Sequence, residues 1–360
     1  MTLYEIIVRS ARKALTLQDP NGAMPPGNNG SYGDPETPVR NTAHWAITYL
    51  KAFQINGSSE FEQAAKRCFD YLLTKEARPM NATFWHRSNP KKDFSNGLVG
   101  QAWTIEALLQ LSKHFDQPEA ITLAEEVFLL HPFDKRWGAW KRVNVDGSYR
   151  DFDGTFNHQL WFAASGALLV AETGNEDIRK SVTRFMDLLD VNMKLYGDGL
   201  IQHLAPFYLK KKTPVKALRQ AIWKVRNGKH ETYMRMKSAG YHGFNMYAFA
   251  LIKTCFPDHK FWNSPGFRST MQYLDSAKFR DEVAKSSYGY PYNPPGFEAA
   301  YALQELSDND QEIAYWVTEQ IKHCYDQEAE LMIGGDTQDQ NTAAARLYEA
   351  TRLHDCELQS

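Results

Sequence analysis

Six times along the chain, a polar or acidic segment of helical period is followed by a loop and then by a far more apolar helical segment. The polar members span residues 2–16, 59–74, 117–130, 175–190, 265–284 and 308–325. The apolar members span 41–55, 98–115, 157–172, 240–255, 296–306 and 341–353. A helix with one apolar stripe lies at a surface, whereas one apolar on most faces is buried. The alternation therefore predicts an all-α fold, an (α/α)6 toroid of six helix hairpins with the apolar helices as its inner ring.

The joints support this pairing. Asn56-Gly57 and Thr173-Gly174 put glycine where a helix C-cap is wanted, and Ser58-Ser59 and Asn175 follow as N-cap candidates. Connections from an inner helix to the next outer one are thus short. Those from outer to inner are long and rich in Gly, Pro, Asn, Asp and aromatic residues, at 17–40, 75–97, 131–156, 191–239, 285–295 and 326–340. Because all six join the same two element types, they collect at one mouth of the ring, and long loops of this kind are usually functional.

No linker interrupts the pairs, so residues 1–360 read as one domain, with 191–239 as a basic excursion over the open face. Pro214–Val225 within it has the pattern of an extra helix. The net charge of −2 conceals this segment: Lys210 to Lys237 holds ten lysines and arginines against one acid, Glu231. Such a concentration fits an anionic ligand or a solvated basic face.

Cys68, Cys255, Cys324 and Cys356 are too scattered for a metal or redox pair and read as reduced thiols. The first residues lack a continuous apolar core and a cleavage site, and no stretch has the roughly 20 apolar residues of a membrane span. The expectation is a cytoplasmic protein without membrane or nucleic-acid partners. The sequence leaves the oligomeric state open.

At the mouth end of each inner helix stand polar residues that an apolar core would not select. They include Arg40, Asn41 and His44 beside Trp45; Asn96 and Gln101 with Trp103; Asp151, Asp153, Asn157 and His158 with Trp161; Tyr241, His242 and Asn245; Tyr288, Tyr290, Tyr292, Asn293 and Glu298; and Asp336 and Asn341. Asn41, Asn157 and Asn341 each open an apolar segment and so qualify as N-caps. Convergence of six such ends in one bowl nevertheless predicts a site.

Two stretches carry more. Residues 155–163 read Thr-Phe-Asn-His-Gln-Leu-Trp-Phe-Ala, and Arg235 is followed by Tyr241-His242 before the next inner helix. This Asn-His-x-x-Trp-x-Ala pattern with a later Arg and Tyr-His resembles the α/α-toroid polysaccharide lyases, alginate lyases in particular. The resemblance covers two short patches and the helix pairing. It implies β-elimination on a uronic-acid chain, with Asn157, His158, Tyr241 and Arg235 as catalytic residues and no cofactor. Removing the proton beside a carboxylate leaves an enolate-like dianion, which an amide and a guanidinium stabilise. A neutral histidine can take that proton, and a tyrosine can protonate the leaving oxygen. The order of these two roles stays open at this level.

The chain departs from such lyases in lacking an export signal and in its long basic loop. A cytoplasmic hydrolase of unsaturated uronyl oligosaccharides fits the same fold, with Asp153, Asp151, Asp34 or Asp336 as acid/base. A uronate C5-epimerase begins with the same proton abstraction, and a non-catalytic glycan- or partner-binding ring is a further alternative. In each enzymatic reading the partner is an anionic carbohydrate. The histidines and cysteines show no metal-ligand spacing, and no phosphate loop or dinucleotide fingerprint occurs.

Overall fold

The structure is a computed structural model that describes residues 1–206, 228–307 and 309–359. The predicted hairpins are present. Outer helices α1 (Leu3–Ala14), α3 (Ser59–Leu72), α5 (Pro118–Leu129) and α7 (Glu176–Asp187) alternate with inner helices α2 (Val39–Asn56), α4 (Gly97–Phe115) and α6 (Phe156–Thr173). A short α8 (Leu189–Asn192) and α9 (Gly228–Gly240) then lead to inner helix α10 (His242–Cys255). Outer helices α11 (Pro265–Leu274) and α12 (Ala277–Ala284) precede α13 (Pro295–Leu306), and α14 (Asp310–Cys324) precedes α15 (Gln340–Ala345).

The inner elements pack in sequence order, α2 on α4, α4 on α6, α6 on α10 and α10 on α13. A 3-10 helix, Arg346–Arg352, continues α15 and packs on both α13 and α2. The ring is closed. Its interior is aromatic: Trp161 stacks on Phe244 and Tyr247, with centroids 4.5 and 5.5 Å away. Between the rings, Phe128 of α5 stacks on Phe162 of α6 at 4.5 Å.

Local chemistry accounts for the helix ends. Thr2 and Glu5 form a capping box on α1, and the Asn175 side chain caps α7. Gly57 and Gly174 adopt left-handed backbones at the ends of α2 and α6, at φ of 70° and 69°.

Three features differ from the sequence reading. Segment 265–284 is two helices, because Ser276 caps a new one by accepting from the Phe279 N–H. The sixth inner segment is α-helical only to Ala345. Residues 131–156 contain a three-stranded antiparallel sheet, β1 (Phe133–Asp134), β2 (Ala139–Val143) and β3 (Tyr149–Phe152), in order β1-β2-β3. Its strands are too short to declare a two-residue period. The proposed helix at 214–225 lies outside the described residues. Among the described residues, no helix is long and apolar enough to cross a membrane. The four cysteines are free thiols.

Candidate active site

The long loops and inner-helix ends enclose a cavity of about 160 Å³. Its wall takes Asn29 and Tyr32 from the loop before α2, and Arg87, Lys92 and Asn96 from the loop before α4. Val99 and Trp103 come from α4, Asn157 and His158 from α6, and Tyr241 and Phe244 from the start of α10. Thr155, His203, Lys237, Tyr292, Asn293 and Arg346 complete it. Among the described residues, four cations line the cavity and no carboxylate does.

His158 is the best placed proton acceptor. Its Nδ1 lies 2.8 Å from the Asp153 carboxylate. An ionised carboxylate only accepts, so Nδ1 is the donor in this bond and Nε2 is the nitrogen left for the cavity. Burial would raise the Asp153 pKa, but His158 beside it, Arg142 and the Thr155 N–H hold that carboxyl well below the usual range. Asp153 also accepts from the backbone N–H of Thr155 at 3.2 Å and of Leu98 at 3.4 Å. It positions the imidazole.

Close approach of α4 makes this dyad possible. Gly97 opens α4 at φ +60°, and a Cβ there would stand 2.4 Å from Asp153 Oδ2 and 2.9 Å from His158 Nδ1. Glycine is required on both counts. The Gly97 N–H donates to Asp93 at 2.7 Å. Asp93 is in turn paired with Arg87 at 2.6 Å and Arg142 at 2.9 Å.

The same wall holds a group of phenols. The Tyr241 hydroxyl is 2.9 Å from that of Tyr32, and burial, with Tyr292 and Tyr32 nearby, pushes its pKa well above the ordinary value. Tyr241 is therefore a proton donor at neutral pH. His203 lies against the Tyr241 ring at 5.1 Å between centroids. Burial, then the charge of Lys237, drives the His203 pKa well down, so it is neutral. The loop bearing Tyr32 is tied to the neighbouring last hairpin, where the ring closes, since Asp339 accepts from the N–H groups of Asn28 at 2.7 Å and Gly30 at 2.9 Å.

Of the residues nominated from sequence, Asn96, Trp103, Asn157, His158, Tyr241, Tyr292 and Asn293 meet in this wall, with Asp153 directly behind. Others do not reach it. Arg235 is taken up by Asp198 at 2.6 Å and Glu282 at 2.8 Å. Arg40 is buried on Glu36 at 3.2 Å and lies 4.3 Å from the Trp103 ring. His44 is stacked on Tyr348 at 4.0 Å, and Trp45 lies beside Tyr49 in the core. Gln101 accepts from the Phe84 N–H at 2.8 Å, and Trp161 donates to the Phe244 carbonyl at 3.0 Å. His242 turns outward to the Thr270 carbonyl at 3.2 Å, and Tyr290 stacks on His323 at 4.0 Å. Asn245 is buried within α10, and Glu298 pairs with Arg346 at 2.9 Å beneath the cavity.

The capping explanation of the three asparagines is also revised. Thr155 and Asp339 hold the N-cap positions of α6 and α15, and Pro38 that of α2. Asn41 and Asn341 instead donate to the carbonyls of Pro25 and Pro26, at 2.8 and 2.9 Å. Asn157 is left for the cavity. Sequence reasoning missed Asn29, Tyr32, Arg87, Lys92, His203 and Arg346 as site residues. Arg346 alone carried a signal, a charge inside an apolar helical segment.

A helical toroid with a paired histidine and aspartate at a cationic cavity has well-defined relatives in fold. The chain superposes on a D-mannose isomerase with a TM-score of 0.66 at 14% identity, over 97% of this chain and 95% of that one. It superposes on the cellobiose 2-epimerase of Bacillus thermoamylovorans with a TM-score of 0.63 at 10% identity, over 94% of each. An unsaturated glucuronyl hydrolase specific for heparin gives 0.61 at 10% identity, over 97% and 96%. The class is thus the (α/α)6 toroid found among carbohydrate-active enzymes, a likeness of fold. No protein-family model matches the chain. Over 372 aligned positions it is 42% identical to archaeal glycosylation protein Q of Haloferax volcanii, covering 99% of both chains. The chain belongs to the family of archaeal glycosylation protein Q.

Proposed function

We propose that the protein is a carbohydrate-active enzyme that moves a proton at the carbon bearing the carboxylate of a uronic-acid sugar. One observation carries this reading: among the described residues, the cavity wall presents Arg87, Lys92, Lys237 and Arg346 and no carboxylate, and it holds a histidine whose Nδ1 is engaged by Asp153 behind it. An anionic sugar is attracted there, and nearby cations lower the cost of placing a second negative charge on it. A relative named for glycosylation, and fold neighbours named for sugars, support a carbohydrate substrate.

In this mechanism His158 Nε2 takes the proton from the carbon next to the carboxylate, and the electron pair moves into the carboxylate as an enolate. The Asn157 amide and the cations stabilise that charge. Tyr241, held protonated, donates to the leaving glycosidic oxygen as the C–O bond breaks and a carbon–carbon double bond forms. This is β-elimination. A second outcome, return of a proton to the opposite face of the same carbon, is favoured by the placement of Tyr241 and His203 on elements other than that of His158. It would be epimerisation.

Hydrolysis is less well served. Asp153 is occupied by His158, and Asp34 is bound by Arg87 at 3.3 Å and Lys92 at 3.0 Å. Asp151 and Asp336 are exposed and outside the cavity wall.

The test is incubation with saturated and unsaturated uronic-acid oligosaccharides in D₂O, reading product mass, ultraviolet absorbance and deuterium at C5. A new absorbance supports elimination, and deuterium at C5 without absorbance supports epimerisation. Gain of one water without either would overturn the reading in favour of a hydrolase.

A further inference from the structure

The four cations of the cavity are not equivalent. Arg87 is neutralised by Asp34 and Asp93, and Lys92 by Asp34. Arg346 is held between Glu298 at 2.9 Å and Glu349 at 2.6 Å. Lys237 has no acidic partner within 4.0 Å among the described residues. It is half-buried, and its ammonium lies 5.0 Å from the ring centroid of Tyr32 and 5.2 Å from that of Tyr288.

An aromatic face compensates part of a buried cation's lost hydration, and a second cation nearby adds to the cost. A sugar carboxylate entering the cavity supplies what the protein does not. The position also suits the chemistry. Lys237 lies one helical turn before Tyr241, whose N–H donates to the Lys237 carbonyl at 3.2 Å. The His203 N–H donates to Ser238 Oγ at 3.1 Å, fixing that loop beside it. Arg235, two residues earlier, is turned away into its own ion pairs.

We propose that Lys237 is the carboxylate receptor of the cavity, the residue by which the site selects an acidic sugar over a neutral one. The assignment rests on the uronate reading above and names the group that enforces it. Its pH signature follows from the surroundings. Burial, and then the charge of Lys92, lowers the Lys237 pKa to about 8. The other groups facing it are Tyr32, Tyr288 and His203, the last held neutral. Free Lys237 therefore loses its charge above about pH 8, whereas a bound carboxylate keeps it protonated. Binding takes up a proton in that range, and affinity for the acid falls by up to about tenfold per pH unit above the pKa.

The experiment is calorimetric titration of the full chain with methyl glucuronide and methyl glucoside at pH 7 and pH 9, in buffers of different ionisation heat. The native protein should prefer the glucuronide at pH 7, less so at pH 9, with proton uptake on binding. Lys237→Met should reduce that preference by roughly 10–100-fold, the worth of one hydrogen bond to a charged group. Lys237→Arg, charged at both pH values, should keep the preference and lose its pH dependence and proton uptake. If Lys237→Met misfolds by circular dichroism, the Lys237→Arg profile decides alone. A folded Lys237→Met protein that still prefers the glucuronide overturns this assignment while leaving the proposed function intact. Absence of any preference in the native protein at pH 7 overturns both.

Discussion

His158 and Asp153 lie five residues apart, one on α6 and one in the turn before it, so their contact depends on the sharp entry into that helix. If Nε2 is the base, His158→Ala should lower turnover by roughly 10²–10⁴-fold. Steady-state kinetics with an unchanged circular dichroism spectrum checks this, because a residue at a cavity wall is not core. Asp153→Asn should also be costly, since an amide donating to Nδ1 puts the proton on Nε2 and removes the lone pair; in serine hydrolases the same error costs up to ~10⁴-fold. A fully active Asp153→Asn enzyme would count against the base assignment. Tyr241→Phe should abolish elimination while leaving deuterium exchange at C5 measurable, because the two steps use different groups.

Helix α4 shapes the dyad without lending it a side chain. Gly97→Ala would place a methyl within 2.4 Å of Asp153 Oδ2 and force a left-handed backbone on alanine, at a cost of about 1–2 kcal/mol. The expected result is near-complete loss of activity with only a modest fall in melting temperature. An active Gly97→Ala enzyme would mean that the dyad adjusts freely. The loop bearing Tyr32 depends similarly on Asp339, which accepts from two of its N–H groups. Asp339→Ala should raise KM more than it lowers kcat, because the loop forms wall rather than chemistry. Capping losses of this kind cost about 1 kcal/mol, and thermal melts should show a fall of that order.

Over the whole molecule, buried neutral histidines set the acid limit. Burial lowers the pKa of His86 to about 3 and of His131 and His242 to about 4, from the ordinary 6.5. The unfolded chain protonates first as pH falls, so their stability is complete above about pH 6.5 and is lost on the way down to pH 4. Glu298 and Glu349, raised by burial and by each other or their neighbours, act in the opposite direction. Six histidines lowered by burial, with His44, His203 and His259 joining these three, against three raised glutamates, Glu36, Glu298 and Glu349, predict a net fall. Melting temperatures measured from pH 8 to pH 4 should drop below pH 6.5, and a flat profile would contradict the assignment of these rings as neutral.

The toroid was legible in the chain because its signal is periodic: inner helices such as α4 and α6 are apolar on nearly every face, and a stripe repeated six times survives local ambiguity. His158 and Tyr241 were legible because they open such helices. What the chain could not declare was direction. Asn157 and Asn41 stand alike in sequence, yet one faces the cavity and the other bonds the Pro25 carbonyl. His242 follows Tyr241 and points away from it, since adjacent helical residues diverge by about 100°. Arg235 and Lys237 share one basic run, but only their acidic neighbours, contributed by distant segments, decide which charge is spent and which is free. Local pattern fixes what an element is and which end is polar. Long-range packing alone brings Asn29, Arg87, His203 and Arg346 to one cavity, because each comes from a different loop or helix of a closed ring.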